Sequence, residues 1–307
     1  MMRIVFFGSA ELAVPSLTAL VNEPSLEVVG VVSQPDRPAG RKRQLTACPL
    51  KAVASSMELA ICTPEKVGSD EMVAQVEEWA PALLVVVAYG QYIPNRILAV
   101  APLRAINVHP SLLPKYRGAA PIQWALLNGD EQTGVSIIDV ADRMDAGDIL
   151  AQEVLSIEAE DTAASLHDRC AAAGADLLVR TIALLKAGRV ERQQQNEDEV
   201  VAVRKLIKAD GNIDWSLPAV SIHDRVRAFN PWPGSRCVLP NGEVLSVWRT
   251  ACVAGDGKPG ELLDDRLTIA TGAGALQLLE VQAAGGKRML AAEYLRGKPL
   301  PAGAKLG

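Results

Sequence analysis

Three polar residues carry the chemistry this sequence could do. Asn107 and His109 stand two apart in Asn107-Val108-His109-Pro110-Ser111-Leu112-Leu113-Pro114, and Asp145 lies in Met144-Asp145-Ala146-Gly147-Asp148. In an extended strand, residues two apart point to the same side, so an amide and an imidazole can converge on one atom. Amide, imidazole and carboxylate together suit acyl transfer, in which negative charge develops on a carbonyl oxygen and a proton has to move. Each also has a plainer use: His109 as a hydrogen-bonded structural residue, Asn107 as a turn cap, Asp145 as the stabiliser of its own loop. Spacing alone leaves both uses open.

Other chemistries lack their residues. Ser111 is close to His109 but has no G-x-S-x-G elbow to hold it strained and exposed. Gly8-Ser9-Ala10-Glu11 is not G-x-G-x-x-G, and no phosphate-loop motif occurs. His109, His167 and His223 have no partners at metal-ligand spacing, so no metal is expected. Cys48, Cys62, Cys170, Cys237 and Cys252 are odd in number and form no C-x-x-C pair, so they read as small core residues.

The elements that must position these residues alternate. Residues 3–8 read as a strand ending in glycine, with Ser9 as N-cap of a helix through Leu12, Leu17 and Leu20. Residues 28–32 read as a second strand, Ser69 caps a helix running to Trp79, and residues 83–88 form an apolar strand buried on both faces. Residues 105–108 read as a strand, 121–127 as a helix, 134–140 as a strand, and 161–187 as a helix broken near Gly174. Such alternation predicts an α/β fold with a Rossmann-like parallel sheet and crossover helices. Asn107 and His109 then sit at the carboxyl end of a strand, where open α/β sheets bind ligands.

The texture changes at Gly188. Residues 189–199 are polar and read as linker, and the short strands beyond, with a Pro240-Asn241-Gly242 hairpin turn, predict a smaller β-barrel or sandwich. The expected division is 1–188, 189–206 and 207–307. The 307 residues carry a net charge of −5, unevenly: residues 200–307 hold 14 Lys/Arg against 10 Asp/Glu, the first 199 hold 17 against 26. A basic last third on an acidic chain hints at a polyanionic partner. The longest apolar run, 82–88, is too short for a membrane span, and the first eight residues make no secretory signal, so the default location is cytoplasmic.

The 107–114 stretch, followed by Arg117-Gly118-Ala119-Ala120-Pro121 and the 144–148 segment, closely resembles the signature of the folate-dependent formyltransferases. Three further segments resemble the branch that acts on methionyl-tRNA: Gln34-Pro35-Asp36-Arg37-Pro38-Ala39-Gly40-Arg41, Gly211-Asn212-Ile213-Asp214-Trp215 and Arg227-Ala228-Phe229-Asn230-Pro231-Trp232-Pro233-Gly234. Departures are small: Pro110 stands where the family often has glycine, and Arg41-Lys42-Arg43 differs in detail.

The resemblance covers essentially the whole chain. It implies formyl transfer from 10-formyltetrahydrofolate to the α-amine of methionyl initiator tRNA, without metal, serving translation initiation; a monomer is the default expectation. It implies Asn107, His109 and Asp145 as the catalytic set and folate beside Ser111, Leu112, Leu113 and Pro114, with Tyr89 and Gly90 on the pterin side. It implies Arg37, Arg41, Lys42 and Arg43 as tRNA contacts, with an OB-like C-terminal barrel also holding tRNA. The rival implied by the same three residues is formylation of a nucleotide-linked amino sugar, which would have no need of the basic loop. Trp232 could stack on a base, but two flanking prolines favour a rigid structural wedge.

Overall fold

The computed structural model describes residues 1–39, 44–301 and 303–307. Its contacts group the chain into two compact units that interleave along the sequence: Met1–Gly118, Thr133–Leu155 and His167–Ala202 form the first, and Ala119–Gln132, Ser156–Leu166 and Val203–Gly307 the second.

The first unit is built on a seven-stranded sheet. Its strand order is Ile149–Ser156, Gln132–Asp139, Ala105–His109, Leu83–Val87, Met2–Gly8, Leu26–Val32 and Ile61–Cys62. Continuous apolar runs supply the centre, as expected of strands covered on both faces: Ile4 to Phe7 and Leu83 to Val85 are fully buried. The five strands from Ala105–His109 to Ile61–Cys62 pair in parallel. Gln132–Asp139 runs antiparallel to Ala105–His109, so the sheet is mixed. The reason lies in the connection. Between these strands the chain makes only the short strand Lys115–Gly118 and the helix Pro121–Leu127, and that helix belongs to the second unit. It supplies no crossover, and without one the chain returns in the opposite direction.

Two local readings differ from the sequence expectation. Ser9 does not cap the helix Ala13–Asn22, which begins at Leu12 with no side-chain cap. Its hydroxyl instead donates to Tyr89 O (3.1 Å) and accepts from Gln34 N (3.2 Å), tying together the ends of neighbouring strands. The helix Ala163–Lys186 runs through Gly174 without a break. A Cβ there would lie 3.0 Å from Val108 Cγ1, so the glycine allows a close approach to the strand that carries Asn107 and His109. The Ser69 cap is present, accepting from Met72 N at 3.3 Å.

The second unit contains a five-stranded antiparallel sheet. Ser235–Val238, Val244–Val253, Ala275–Ala283 and Thr268–Ala270 are neighbours in that order, and Met289–Leu290 pairs with Ala275–Ala283. The 240–242 turn joins the first two strands, with Gly242 at φ +83°. The helix Ala219–Ala228 packs on Val244–Val253 and on the helix Pro121–Leu127. Its apolar face, Ala219, Ile222 and Val226, joins Leu245, Val247 and Leu278 in one core.

Candidate active site

The strand Ala105–His109 ends at the site. Asn107 stands opposite Val86 on one side and Ile138 on the other, and His109 opposite Ser136. Asn107 and His109 share one face, as a two-residue spacing on a strand requires. His109 is 5% exposed. Its Nε2 lies 3.0 Å from Tyr116 O, and since a carbonyl only accepts, Nε2 carries the hydrogen. Nδ1 then faces Asp145 Oδ1 at 3.7 Å. The other oxygen of Asp145 accepts from Gly118 N at 2.9 Å. The Asn107 amide has no hydrogen-bond partner among the described residues, so both its N–H groups are available to a ligand.

Both carbonyl and carboxylate are held by unusual backbone. Tyr116 has φ +64° and Asp145 φ +53°, a conformation that costs a non-glycine residue of order 1–3 kcal/mol and clusters at functional sites. Gly147 makes the Asp145 turn possible, because a Cβ there would stand 1.7 Å from Asp139 O.

The loop after His109 is fastened from within. Ser111 is fully buried and its hydroxyl donates to Lys115 O at 2.7 Å. Leu113 is buried with Ile138 and Ile149, and Leu112 lies against Gly134. Ser136 Oγ donates to Ser111 O (2.6 Å) and accepts from Leu113 N (3.1 Å), while Gln152 Nε2 donates to Leu113 O at 2.9 Å. The Ser111 backbone is engaged as well, its N–H donating to His109 O at 2.9 Å and its carbonyl accepting from Ser136 Oγ, so Ser111 shapes the loop from within. Tyr89 is also a core residue. Its ring meets Phe7 edge-on at 5.5 Å, its hydroxyl is buried with no partner among the described residues, and burial pushes the pKa of that hydroxyl up. Its carbonyl accepts from Ser9 Oγ and Gln34 Nε2, both at 3.1 Å, and the next residue, Gly90, is exposed at φ +86°.

Of the four basic loop residues, Arg37 is exposed and pairs with Glu65 at 3.0 Å. Arg41, Lys42 and Arg43 lie outside the described residues. Trp232 is 54% exposed, and Phe229, 1% exposed, is the packed aromatic of that segment. Arg227 is a structural tie, half-buried, donating to Asp224 Oδ1 (2.6 Å) and to Asp161 O (3.1 Å).

Sequence reasoning passed over four residues that fix this site. Ser136 and Gln152 brace the 111–114 loop, as above. Arg117, 7% exposed, donates from Nε to Gln195 Oε1 (2.9 Å) and from Nη2 to Glu197 Oε1 (2.9 Å). Gln195, 5% exposed, lies in the polar stretch read as linker, yet its Nε2 donates to Asp145 O (2.8 Å) and Gly147 O (2.7 Å). Hydrogen bonds from Arg117 and then Arg143 hold the Glu197 carboxyl below its ordinary range. The only available signal was Arg117 within its motif; nothing marks out Gln195 in a run of three glutamines. Among the described residues no His/Cys/Asp/Glu group is arranged to hold a metal ion.

Residues 2–182 match the family model described as formyl transferase, and residues 205–299 match formyl transferase, C-terminal domain. The methionyl-tRNA formyltransferase of Solibacter usitatus is 43% identical over 309 residues, spanning all of this chain and 99% of that protein. The protein of the same name from Pelotomaculum thermopropionicum is 41% identical over 312 residues, again across the whole chain and 99% of its own length. Among solved structures, the sugar 3N-formyl transferase WlaRD aligns with a TM-score of 0.66 at 19% identity, over 92% of this chain and 97% of that one. HypX from Aquifex aeolicus in complex with tetrahydrofolic acid aligns at 0.61 and 18%, over 96% of this chain and 47% of that one. At such identities these structures share the fold. Full-length identity near 40% and two successive family matches, on a chain that sets an amide and an imidazole at the end of one strand and a carboxylate facing the imidazole, make this protein a member of the formyl transferase family.

Proposed function

We propose that this protein transfers the formyl group of 10-formyltetrahydrofolate to the α-amine of methionine esterified to initiator tRNA, giving N-formylmethionyl-tRNA for translation initiation. Identity of 43% across the full length to a methionyl-tRNA formyltransferase carries the substrate. The site supports the chemistry. Its free amide donor, buried imidazole and adjoining carboxylate fit a formyl group awaiting attack. The donor, when bound, supplies a formyl carbon on an aniline-like nitrogen that leaves readily, so no protein nucleophile is needed.

Asn107 donates to the formyl oxygen as charge develops there, and losing one such donor typically costs ~10²–10³ in rate. His109 presents Nδ1, because Nε2 is held by Tyr116 O. The amine attacks in its neutral form, and its proton has two acceptors beside the reacting atoms, His109 Nδ1 and Asp145 Oδ1, 3.7 Å apart. The new C–N bond forms, the bond to the folate nitrogen breaks, and the proton ends on that nitrogen. Ser111 to Pro114 and the 89–90 main chain line the folate, Arg37, Arg41, Lys42 and Arg43 meet the tRNA, and the enzyme works as a cytoplasmic monomer.

The test is formyl incorporation from 10-formyltetrahydrofolate into methionyl initiator tRNA and, in parallel, into a nucleotide-linked amino sugar. Incorporation into the tRNA alone is expected. Incorporation into the sugar alone would keep the chemistry and overturn the substrate.

A further inference from the structure

We infer that Gln195 is a positioning residue for the reacting pair, holding Asp145 and His109 in register through a single buried side chain; this rests on the assignment of Asp145 and His109 to the reaction above. The amide of Gln195 works at both ends. Its Nε2 spends both hydrogens on the Asp145 turn, at 2.8 Å to Asp145 O and 2.7 Å to Gly147 O. Its Oε1 accepts from Arg117 Nε at 2.9 Å. Arg117 lies between the two backbone groups that hold the pair: Tyr116 O binds His109 Nε2 and Gly118 N binds Asp145 Oδ2. One side chain therefore ties the turn bearing the carboxylate to the strand that fastens both carboxylate and imidazole.

The chain leading into Gln195 is itself anchored, so the side chain has a fixed base from which to act. Two residues earlier, Gln193 exchanges both backbone hydrogen bonds with Ile149, at 2.8 and 2.9 Å, beside the end of the Asp145 turn. Arg192 Nε donates to Asp139 Oδ2 at 2.7 Å. Gln195 is 5% exposed with its amide fully engaged, so neither end can be exchanged for water without loss. The bonds it makes cross 78 residues to Arg117 and 50 to Asp145. Asp145 sits at positive φ, a conformation that persists only where its surroundings over-determine it, and the Gln195 donors bear directly on that backbone.

The experiment compares Gln195→Ala, Gln195→Glu and Glu197→Gln with wild type. Gln195→Glu keeps an oxygen for Arg117 and removes both donors to the Asp145 turn. Glu197→Gln weakens the outer charge pair and leaves the clamp intact. For both Gln195 variants kcat should fall at least tenfold, with KM for folate and for tRNA within about twofold of wild type at a temperature where the variants are folded. Glu197→Gln should retain wild-type kcat. A second readout is independent of activity: hydrogen exchange at the Gly118 amide, protected through Asp145 Oδ2, should accelerate at least tenfold in both Gln195 variants. Wild-type kcat in Gln195→Glu would reduce Gln195 to a tether for Arg117 and overturn the inference, as would unchanged Gly118 protection. If wild-type protein formylates no tRNA, the proposed function falls, and the Gly118 comparison still decides whether Gln195 holds Asp145.

Discussion

The Asn107 side chain makes no hydrogen bond to the rest of the described protein, although its backbone is paired in the sheet, so the role proposed for its amide is separable from the fold. Asn107→Ala should lower kcat by ~10²–10³ while leaving the melting temperature unchanged, because a donor used only in the reaction is removed and no structural partner is orphaned. Turnover and thermal melts on the same preparation check this; intact turnover would take Asn107 out of the mechanism. Gly147 behaves differently. With Asp139 O 1.7 Å from where a Cβ would be, Gly147→Ala must shift the Asp145 turn. It should cost about 1–3 kcal/mol in urea unfolding together with a fall in kcat. The placement of Asn107 and His109 on one strand, and of Asp145 in a turn after the next strand, was legible in sequence, while the roles proposed for them rest on the resemblance of those motifs. Gln195 was not, because a glutamine gains meaning only from the carbonyls it meets, and those are far away in sequence.

At the level of elements, the connection entering the second unit carries its own pH dependence. Arg204 donates twice to Asp210, from Nη1 at 2.8 Å and Nη2 at 2.7 Å, and Ile207 N adds a third bond at 2.7 Å. These bonds, the Arg204 pair above all, push the Asp210 carboxyl down to about 2. A carboxylate depressed in the fold stabilises it at every pH above the unfolded value of about 3.9 and loses that contribution as pH falls toward the folded value. Asp210→Asn should therefore lower the urea midpoint at pH 7 and flatten its decline between about pH 4 and pH 2. An unchanged decline would assign the acid sensitivity to other groups. Strands and helices were mostly legible here: the Ser69 cap, the 121–127 helix and the 240–242 hairpin all follow from local residue chemistry. Direction was not. Nothing within residues 132–139 says that this strand runs antiparallel, because direction depends on where the preceding helix packs. Gly174 misled for a related reason, since its role is set by Val108 across the sheet and not by helix propensity.

Over the whole molecule, charge argues for the partner. Many basic residues of the last third are taken up within the second unit, as Lys298 is by Glu243 and Arg249 by Glu280. Lys205, Lys208 and Lys287 enter no ion pair among the described residues. Affinity for methionyl initiator tRNA should fall steeply with salt as phosphate-bound counterions are released. Replacing Arg41, Lys42 and Arg43 together by Gln should flatten the slope of log affinity against log salt by about 2–3, with folate KM unchanged. An unaltered slope would mean that the loop touches no phosphate. The order of an α/β part and a β part was legible from texture alone, whereas the interleaving of the two units was not. The chain passes between them after residues 118, 132, 155, 166 and 202. That threading bears on inheritance. A recombination point at residue 203 would exchange the β sheet and its helix Ala219–Ala228 while leaving behind the helix Pro121–Leu127 that packs on it, and the carbonyl of Asp161 that Arg227 holds. Two diverged genes of this family that traded only their last third would leave behind two short stretches, 119–132 and 156–166, that belong to the same compact unit, so such an exchange would put mismatched contacts into its core.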